Sequence, residues 1–510
     1  MDEHAAFTSA ARTSSLRRLS AHAAAIDWQA ALSFTLPFVV YLRTLAPTIY
    51  NLDSAELTTA AATGGILRAT GYPLYLVLGR FWSLLPVGDV GFRLNLFSAF
   101  CAALTILLVE LSLRRLRVGL WARLGALGLL ASAPYFWAMA LIAEVYTLHT
   151  ALLAGIVLAG LRWREQPTAR RLALLVFLFV LSLGNHAATI LLLPGLAWFL
   201  FATARRRLLQ WRAWRLALPA AMLAASVFLA LPLRHAAAPA FNYAGEFDAQ
   251  GNFVAVNLQT LHGLLWLVTG RTFAGQMFGY DIAGAAREAA AYGAQLWQAF
   301  IGVGLGPGLL GAVLLWRRDR ALGGALALLF LANVIFYANY RVVDKNTMHL
   351  PSYVIWALWL GLGLEELLRW LRETRLQQPV RLLLVALVLL AVAWNWPRVD
   401  LSDDWSARQQ GEEILASVAP NAIVLGWWDT VPVVQYLQFV EGQRPDVLAI
   451  NRFLISAENL EHLIENEAAR RPLYINSPPP QFLRSMNVER AGTLYRLYPK
   501  QLSQTQENHS

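Results

Sequence analysis

Phe92 to Ser112 reads FRLNLFSAFCAALTILLVELS, and Arg114, Arg115 and Arg117 follow it closely. A run of that length suits the ~20 residues an α-helix needs to cross the hydrocarbon core of a bilayer. The arginines behind it mark the cytoplasmic end of such a helix. Comparable runs lie on both sides, at about 28–46, 119–138, 142–161, 171–187, 189–204, 214–233, 297–316, 321–340, 350–371 and 380–396. The reading is an α-helical polytopic membrane protein with about 11 transmembrane helices.

Arginine clusters fix the expected sidedness. Arg17/Arg18, Arg114 to Arg117, Arg162 to Arg171, Arg205 to Arg207, Arg317 to Arg320 and Arg372 to Arg381 occupy alternate connections, so one face of the membrane carries them all. The apolar stretch Tyr72–Pro86 would invert this pattern if it crossed, and it is therefore read as an interfacial or re-entrant element on the outer surface. The expected domains are a cytoplasmic segment at 1–27, a transmembrane domain at 28–396 with outer loops 47–91 and 234–296, and an extracytoplasmic α/β domain at 397–510. In the last, Ala422–Gly426, Asp446–Ile450 and Leu473–Asn476 read as strands, and Val433–Val440 and Glu458–Ala469 as helices.

Composition agrees with the membrane class. Of 510 residues 57% are hydrophobic and 15% charged, against about 25% charged in an ordinary soluble domain. The net charge of +10 resides in the short clusters between spans, so membrane topology and not nucleic-acid binding accounts for it. Cys101 is the only cysteine, which excludes a disulfide framework within one chain.

Ionisable residues concentrate at the outer ends and loops: Asp53, Glu56, Arg80, Arg93, Glu144, His149, His186, Arg234, His235, Asp344, Lys345 and His349. The bilayer centre is almost entirely apolar, with Glu110 near an inner end as the one candidate for an ion path. In Asn51-Leu52-Asp53-Ser54-Ala55-Glu56, Asp53 can be a helix N-cap with Glu56 completing a capping box. A carboxylate on a membrane-surface loop can also take a proton from an incoming hydroxyl. The two readings compete for Asp53. Glu144 suits a helix start, Arg234 can grip a phosphate bidentately, and Asp344-Lys345 can be a loop ion pair. Gly302-Val303-Gly304-Leu305-Gly306 lacks the strand and the Lys-Ser/Thr of a nucleotide loop. No His, Asp or Glu pair has metal-ligand spacing, so no metal or cofactor is expected.

Several motifs together resemble a known family. Ala46-Pro47-Thr48-Ile49, Asp53-Ser54-Ala55-Glu56, Gly71-Tyr72-Pro73-Leu74-Tyr75, Leu78-Gly79-Arg80 and Arg93-Leu94-Asn95-Leu96-Phe97-Ser98-Ala99 are followed by Glu144-Val145-Tyr146, Gly184-Asn185-His186, Leu231-Pro232-Leu233-Arg234, and Asp344 ahead of Leu350-Pro351-Ser352-Tyr353. This series is similar to the GT-C-type membrane glycosyltransferases that include a eukaryotic transmembrane protein O-mannosyltransferase and bacterial homologues. The resemblance implies a GT-C-like fold and an inverting transfer of a mannose-like hexose from a polyprenyl-phosphate carrier to an acceptor hydroxyl, on a protein Ser/Thr or a glycan, outside a bacterial inner membrane. It implies Asp53 as the catalytic base with Glu56 beside it, Arg234 and then Arg80 or Arg93 at the lipid phosphate, and Glu144, Tyr146, His186 and Asp344 around the substrates. Ala55 and Tyr72 depart from the family's glycine and histidine. A transporter or flippase of lipid-linked sugars is the competing class, and it would require polar groups at mid-membrane.

Overall fold

A computed structural model describes residues 27–500. The cytoplasmic segment expected at 1–27 and the polar tail after Lys500 lie outside the described residues, Asp27 apart. Asp27 caps the first described helix, Trp28–Arg43, by accepting from the Ala30 N–H at 3.1 Å.

Among the described residues six helices are long and apolar enough to cross a membrane: Val90–Arg115, Val145–Glu165, Ala187–Leu208, Trp211–Ala236, Arg320–Ala338 and Gln377–Val399. Gln377–Val399 leaves Leu382, Leu383, Leu389, Leu390 and Trp394 uncovered. An apolar face this continuous is stable in lipid and not in water. The protein is a multi-pass membrane protein.

Other expected spans are shorter or broken, for identifiable reasons. The 119–138 run splits into Leu120–Ser132 and Pro134–Ala140, because Pro134 offers no backbone N–H and forces Ala133 out of helical geometry. The 297–316 run is interrupted at 300–304, where Gly302 takes a positive φ of 68° between helices Ile282–Ala299 and Leu305–Arg318. Within Tyr72–Pro86 the helix is Pro73–Ser83, 11 residues. It is about 16 Å long, too short to cross. Helices Leu305–Arg318 and Leu350–Trp370 touch backbone to backbone: a Cβ on Gly311 would lie 1.8 Å from the Trp359 carbonyl oxygen, and one on Gly363 1.8 Å from that of Pro307. This is the small-residue contact that membrane helices use in place of hydrophobic driving force.

The C-terminal part folds as a small α/β sheet domain. Its five strands are β3 (Ile423–Gly426), β4 (Leu448–Asn451), β5 (Leu473–Ile475), β6 (Met486–Ala491) and β7 (Leu494–Pro499), numbered after a two-stranded ribbon β1 (Gly245–Phe247) and β2 (Phe253–Ala255) in the 234–296 loop. The order is β4-β3-β5-β7-β6. β3 is parallel to both neighbours, with Ile423 opposite Leu448 on one side and Leu473 on the other. Every β3 residue is buried, as a central strand covered on both faces requires. The chain leaves β3 for β4 on one side and returns to β5 on the other, so the strand order reverses at the carboxyl end of β3.

That end faces the membrane domain. Ile49 and Ala55 are buried in one apolar core with Val431, Val433 and Val434 of the sheet domain. Arg408 of the sheet domain holds Glu441 with two 2.7 Å bonds and reaches Asp89 of the membrane domain at 3.5 Å. Sidedness is checked by labelling. In a Cys101→Ala background, cysteines at exposed Val87 and Glu458 are expected to react with an impermeant thiol reagent added to intact cells, and one at exposed Arg206 is not. Labelling of position 206 from outside overturns the assignment of both long loops.

Candidate active site

Helix Asp53–Thr63 begins at Asp53 itself. Leu52 is its N-cap, and no side chain caps it, so the capping-box reading of Asp53 is corrected. The reason is competition for the carboxylate. Gly64, left-handed at φ 74°, ends the helix and lets the chain fold back. That return brings Arg68 to the carboxylates: its guanidinium donates to Asp53 Oδ2 at 2.5 Å and to Glu56 Oε2, and its backbone N–H reaches Glu56 Oε1 at 3.4 Å. The two carboxylates, three residues apart, share one helix face and one cation.

The trio differs sharply in exposure. The Glu56 side chain is 1% exposed, against 23% for Asp53. Burial raises the pKa of Glu56, and the Asp53 charge adds to this, against the opposing pull of Arg68 and a hydrogen bond from Trp428. Burial works against the charge of Arg68, but Asp53 and Glu56 outweigh it and push its pKa up. Asp53 Oδ1 accepts no hydrogen bond among the described residues, so this oxygen is open to a ligand.

Around the trio stand most of the residues expected from sequence. Glu144 is at the N-terminus of helix Val145–Glu165; its Oε2 is buried and unpartnered, and Asp53 and Asp344 are within electrostatic reach of it. Asp344 is an exposed residue, and desolvation by the surrounding protein, with the charge on Asp53, raises the pKa of its carboxyl. Lys345 pairs with Glu288 at 2.8 Å and lies over the Tyr280 ring, which corrects the expected Asp344-Lys345 ion pair. The His186 ring lies 6.0 Å from Tyr72, 6.0 Å from Tyr146 and 5.2 Å from His149.

The arginines behave differently from one another. Arg93 donates to the carbonyls of Ser83, Val87 and Gly88 and so fastens the loop before its own helix. Arg234 donates to the carbonyls of Gly65 at 2.8 Å, Leu76 at 3.2 Å and Ala60 at 3.4 Å, and so joins the helices that carry Asp53 and Arg80. Arg80 is exposed, with the Ala62 carbonyl as its one protein acceptor among the described residues. Away from these arginines, Glu110 is bound by Arg114 at 2.7 Å and Arg123 at 2.9 Å. Among the described residues no group of three or more His, Cys, Asp or Glu is placed to hold a metal.

Sequence reasoning missed two participants. Arg68 is a lone cation in the apolar stretch Ile66-Leu67-Arg68-Ala69, away from every arginine cluster, and that isolation was the available signal. Trp428 comes from the turn after β3 and donates its indole N–H to Glu56 Oε2 at 3.0 Å. Its ring lies 4.6 Å from the Arg68 guanidinium. A cleft of about 550 Å³ lies to one side, between the Ala238–Ala255 segment and helix Val431–Phe439, with Phe241, Tyr243 and Gln435 in its wall.

Residues 53–209 match the family described as the protein O-mannosyl-transferase TMEM260 N-terminal domain. Over 480 residues the chain is 22% identical to the protein O-mannosyl-transferase tmem260 of Dictyostelium discoideum, a match that takes in 82% of this chain and 56% of that protein. The TMEM260 protein of Mus musculus is 25% identical over 174 residues, 33% of this chain and 25% of its own length. The chain thus spans about half, or less, of the curated relatives it matches. Among solved structures, ArnT from Cupriavidus metallidurans bound to undecaprenyl phosphate superimposes with a TM-score of 0.61 at 11% identity, covering 93% of this chain and 98% of that one. Its apo form gives 0.59 over 92% and 97%. By these matches the chain is a multi-pass membrane protein with a GT-C-like fold, and its residues 53–209 are similar to the N-terminal domain of the TMEM260 protein O-mannosyl-transferases.

Proposed function

We propose that the protein is an inverting glycosyltransferase, moving a mannose-like hexose from a polyprenyl-phosphate carrier to a protein Ser/Thr hydroxyl on the extracytoplasmic face of a bacterial inner membrane. The observation that carries this reading is the two-carboxylate, one-arginine trio, with one oxygen of Asp53 left open. With both carboxylates ionised the trio has a net charge of −1. It becomes neutral when Asp53 takes a proton.

In the proposed step the acceptor oxygen attacks the anomeric carbon while Asp53 accepts the hydroxyl proton. The anomeric carbon–oxygen bond to phosphate breaks, polyprenyl phosphate departs, and the configuration inverts. Arg68 stays charge-balanced throughout, because Glu56 keeps hold of it after Asp53 is protonated. Arg80 is the exposed cation assigned to the departing phosphate. Arg234, committed to three carbonyls, joins the helices on which Arg80 and Asp53 are mounted. Glu144, Tyr146, His186 and Asp344 are assigned to the sugar and acceptor hydroxyls. The relatives named as protein O-mannosyl-transferases favour mannose and a protein acceptor, and the ArnT crystallised with undecaprenyl phosphate favours a polyprenyl carrier.

The test is transfer by the purified full-length protein from polyprenyl-phosphate mannose to Ser/Thr peptides, read by mass spectrometry. A hexose on the hydroxyl with inverted anomeric configuration is expected. Movement of the lipid-linked sugar across vesicles with no transfer would move the protein to the transporter class.

A further inference from the structure

The Glu56–Arg68 pair has a third neighbour that comes from the other domain. β3 ends at Gly426, and the turn Trp427-Trp428-Asp429-Thr430 begins helix Val431–Phe439. The turn is tight: Thr430 and Val431 both donate backbone N–H groups to the Trp427 carbonyl, and a Cβ on Gly426 would lie 3.0 Å from Thr430. This is the carboxyl edge of a parallel strand at the point where strand order reverses, the place where open α/β sheets present residues to ligands. Here it presents Trp428 to the membrane domain. The Trp428 ring is met edge-on by Phe453, after β4, at 4.5 Å, and Phe453 stacks at 5.8 Å on Phe273 of the 234–296 loop. Three segments therefore aim one indole N–H at one oxygen of Glu56.

We infer that Trp428 is a positioning residue that decides which carboxylate of the site serves as the base, by holding Glu56 ionised on Arg68 so that Asp53 receives the acceptor's proton. This rests on the function proposed above. Glu56 and Asp53 compete for the same proton, since either one, once protonated, neutralises the trio. Glu56 is the more buried of the two, burial works against its charged form, and a protonated Glu56 would leave the trio neutral before the acceptor's proton arrives. An N–H donor to Oε2 favours the carboxylate form only. The titratable and charged groups facing Glu56 are Arg68, Asp53, Tyr72 and Tyr243, and none of the other three is a cation that could replace Arg68. The sheet domain thereby contributes to the chemistry of the site, and the site is complete only when that domain is docked.

Trp428→Phe keeps a ring on Arg68 and Phe453 and deletes the donor. The full-length protein is assayed by single-turnover transfer from polyprenyl-phosphate mannose across pH, with donor binding measured separately. Donor affinity is expected to stay within twofold of wild type. The acid limb of the transfer step is expected to move up by about one to two pH units, the worth of a hydrogen bond to a charged group. The sign follows from the lost donor: Glu56 becomes easier to protonate, so the active form is lost at higher pH. In a Glu56→Gln background the same replacement is expected to move nothing, because the competing proton site is gone. An unshifted limb in Trp428→Phe, or an equal shift in the Glu56→Gln background, overturns the inference. Should Trp428→Phe fail to accumulate, Phe453→Leu decides: it loosens the aim of Trp428, and an unmoved limb in that variant also overturns it. Failure of the wild type to transfer at all would count against the proposed function instead.

Discussion

Asp53→Asn is expected to leave the protein folded and inserted while single-turnover transfer falls by about 10²-fold or more, the range for loss of a general base. Asparagine keeps the size of aspartate and can still accept from Arg68 through its carbonyl, so the return of the chain after Gly64 survives. It lacks the basic oxygen, and the remaining open position on that side chain cannot hold a proton. The trio also changes charge: in this variant Arg68 and ionised Glu56 sum to zero before the reaction begins, so proton uptake no longer relieves anything. Donor affinity is expected to be unchanged or slightly improved, because a negative charge near the lipid phosphate is removed. Wild-type transfer in Asp53→Asn would remove Asp53 from the chemistry and leave Glu144, with its unpartnered buried oxygen, as the next carboxylate to test.

The sequence made the membrane class legible, and drew attention to the carboxylates of the candidate site, because both readings depend on short-range patterns. Phe92–Ser112 announces itself by length and by the arginines behind it, and the helix found there runs Val90–Arg115. Asp53 and Glu56 stand out because carboxylates are scarce beside apolar spans. The strands expected at 422–426, 446–450 and 473–476 are found at Ile423–Gly426, Leu448–Asn451 and Leu473–Ile475. The β6–β7 hairpin was not anticipated: Met486–Ala491 mixes polar and apolar residues without the clean alternation of a half-buried strand, and its pairing with β7 decides its conformation. What pattern reading could not supply was partnership across distance. Arg68 meets Asp53 through a reversal that Gly64 permits, and Trp428 meets Glu56 across 372 positions of chain. Arg93 and Arg234 illustrate the same limit from the other side. Each looks like a phosphate ligand by type and position, and each has its donors on backbone carbonyls that no periodicity reveals.

Arg68 should therefore prove as sensitive as Asp53, and for a different reason. Arg68→Ala strands Glu56, 1% exposed, beside Asp53 with no counter-charge. Removing one partner of a buried ion pair costs about 3–5 kcal/mol when the other stays charged. Protonation of Glu56 limits that cost, so the loss of stability is expected to be largest at high pH and to shrink as the pH falls through the raised pKa of Glu56. Arg68→Lys keeps the charge but cannot span two carboxylates in the plane of a guanidinium. It is expected to preserve most of the stability, while transfer falls at least tenfold because the lysine ammonium settles on one carboxylate and frees the other. The discriminating variant is Arg68→Ala with Glu56→Gln, which removes both members of the buried pair. Its melting temperature is expected to recover toward wild type, since replacing both partners leaves no unpaired buried charge. Transfer is not expected to recover, because Asp53 would then lack both the cation that orients it and the second carboxylate that keeps that cation balanced. Thermal unfolding across pH and single-turnover transfer, measured on the three variants side by side, separate the structural role of Arg68 from its part in the reaction. If the double variant regains transfer along with stability, Arg68 acts only by neutralising Glu56, and Asp53 works without it.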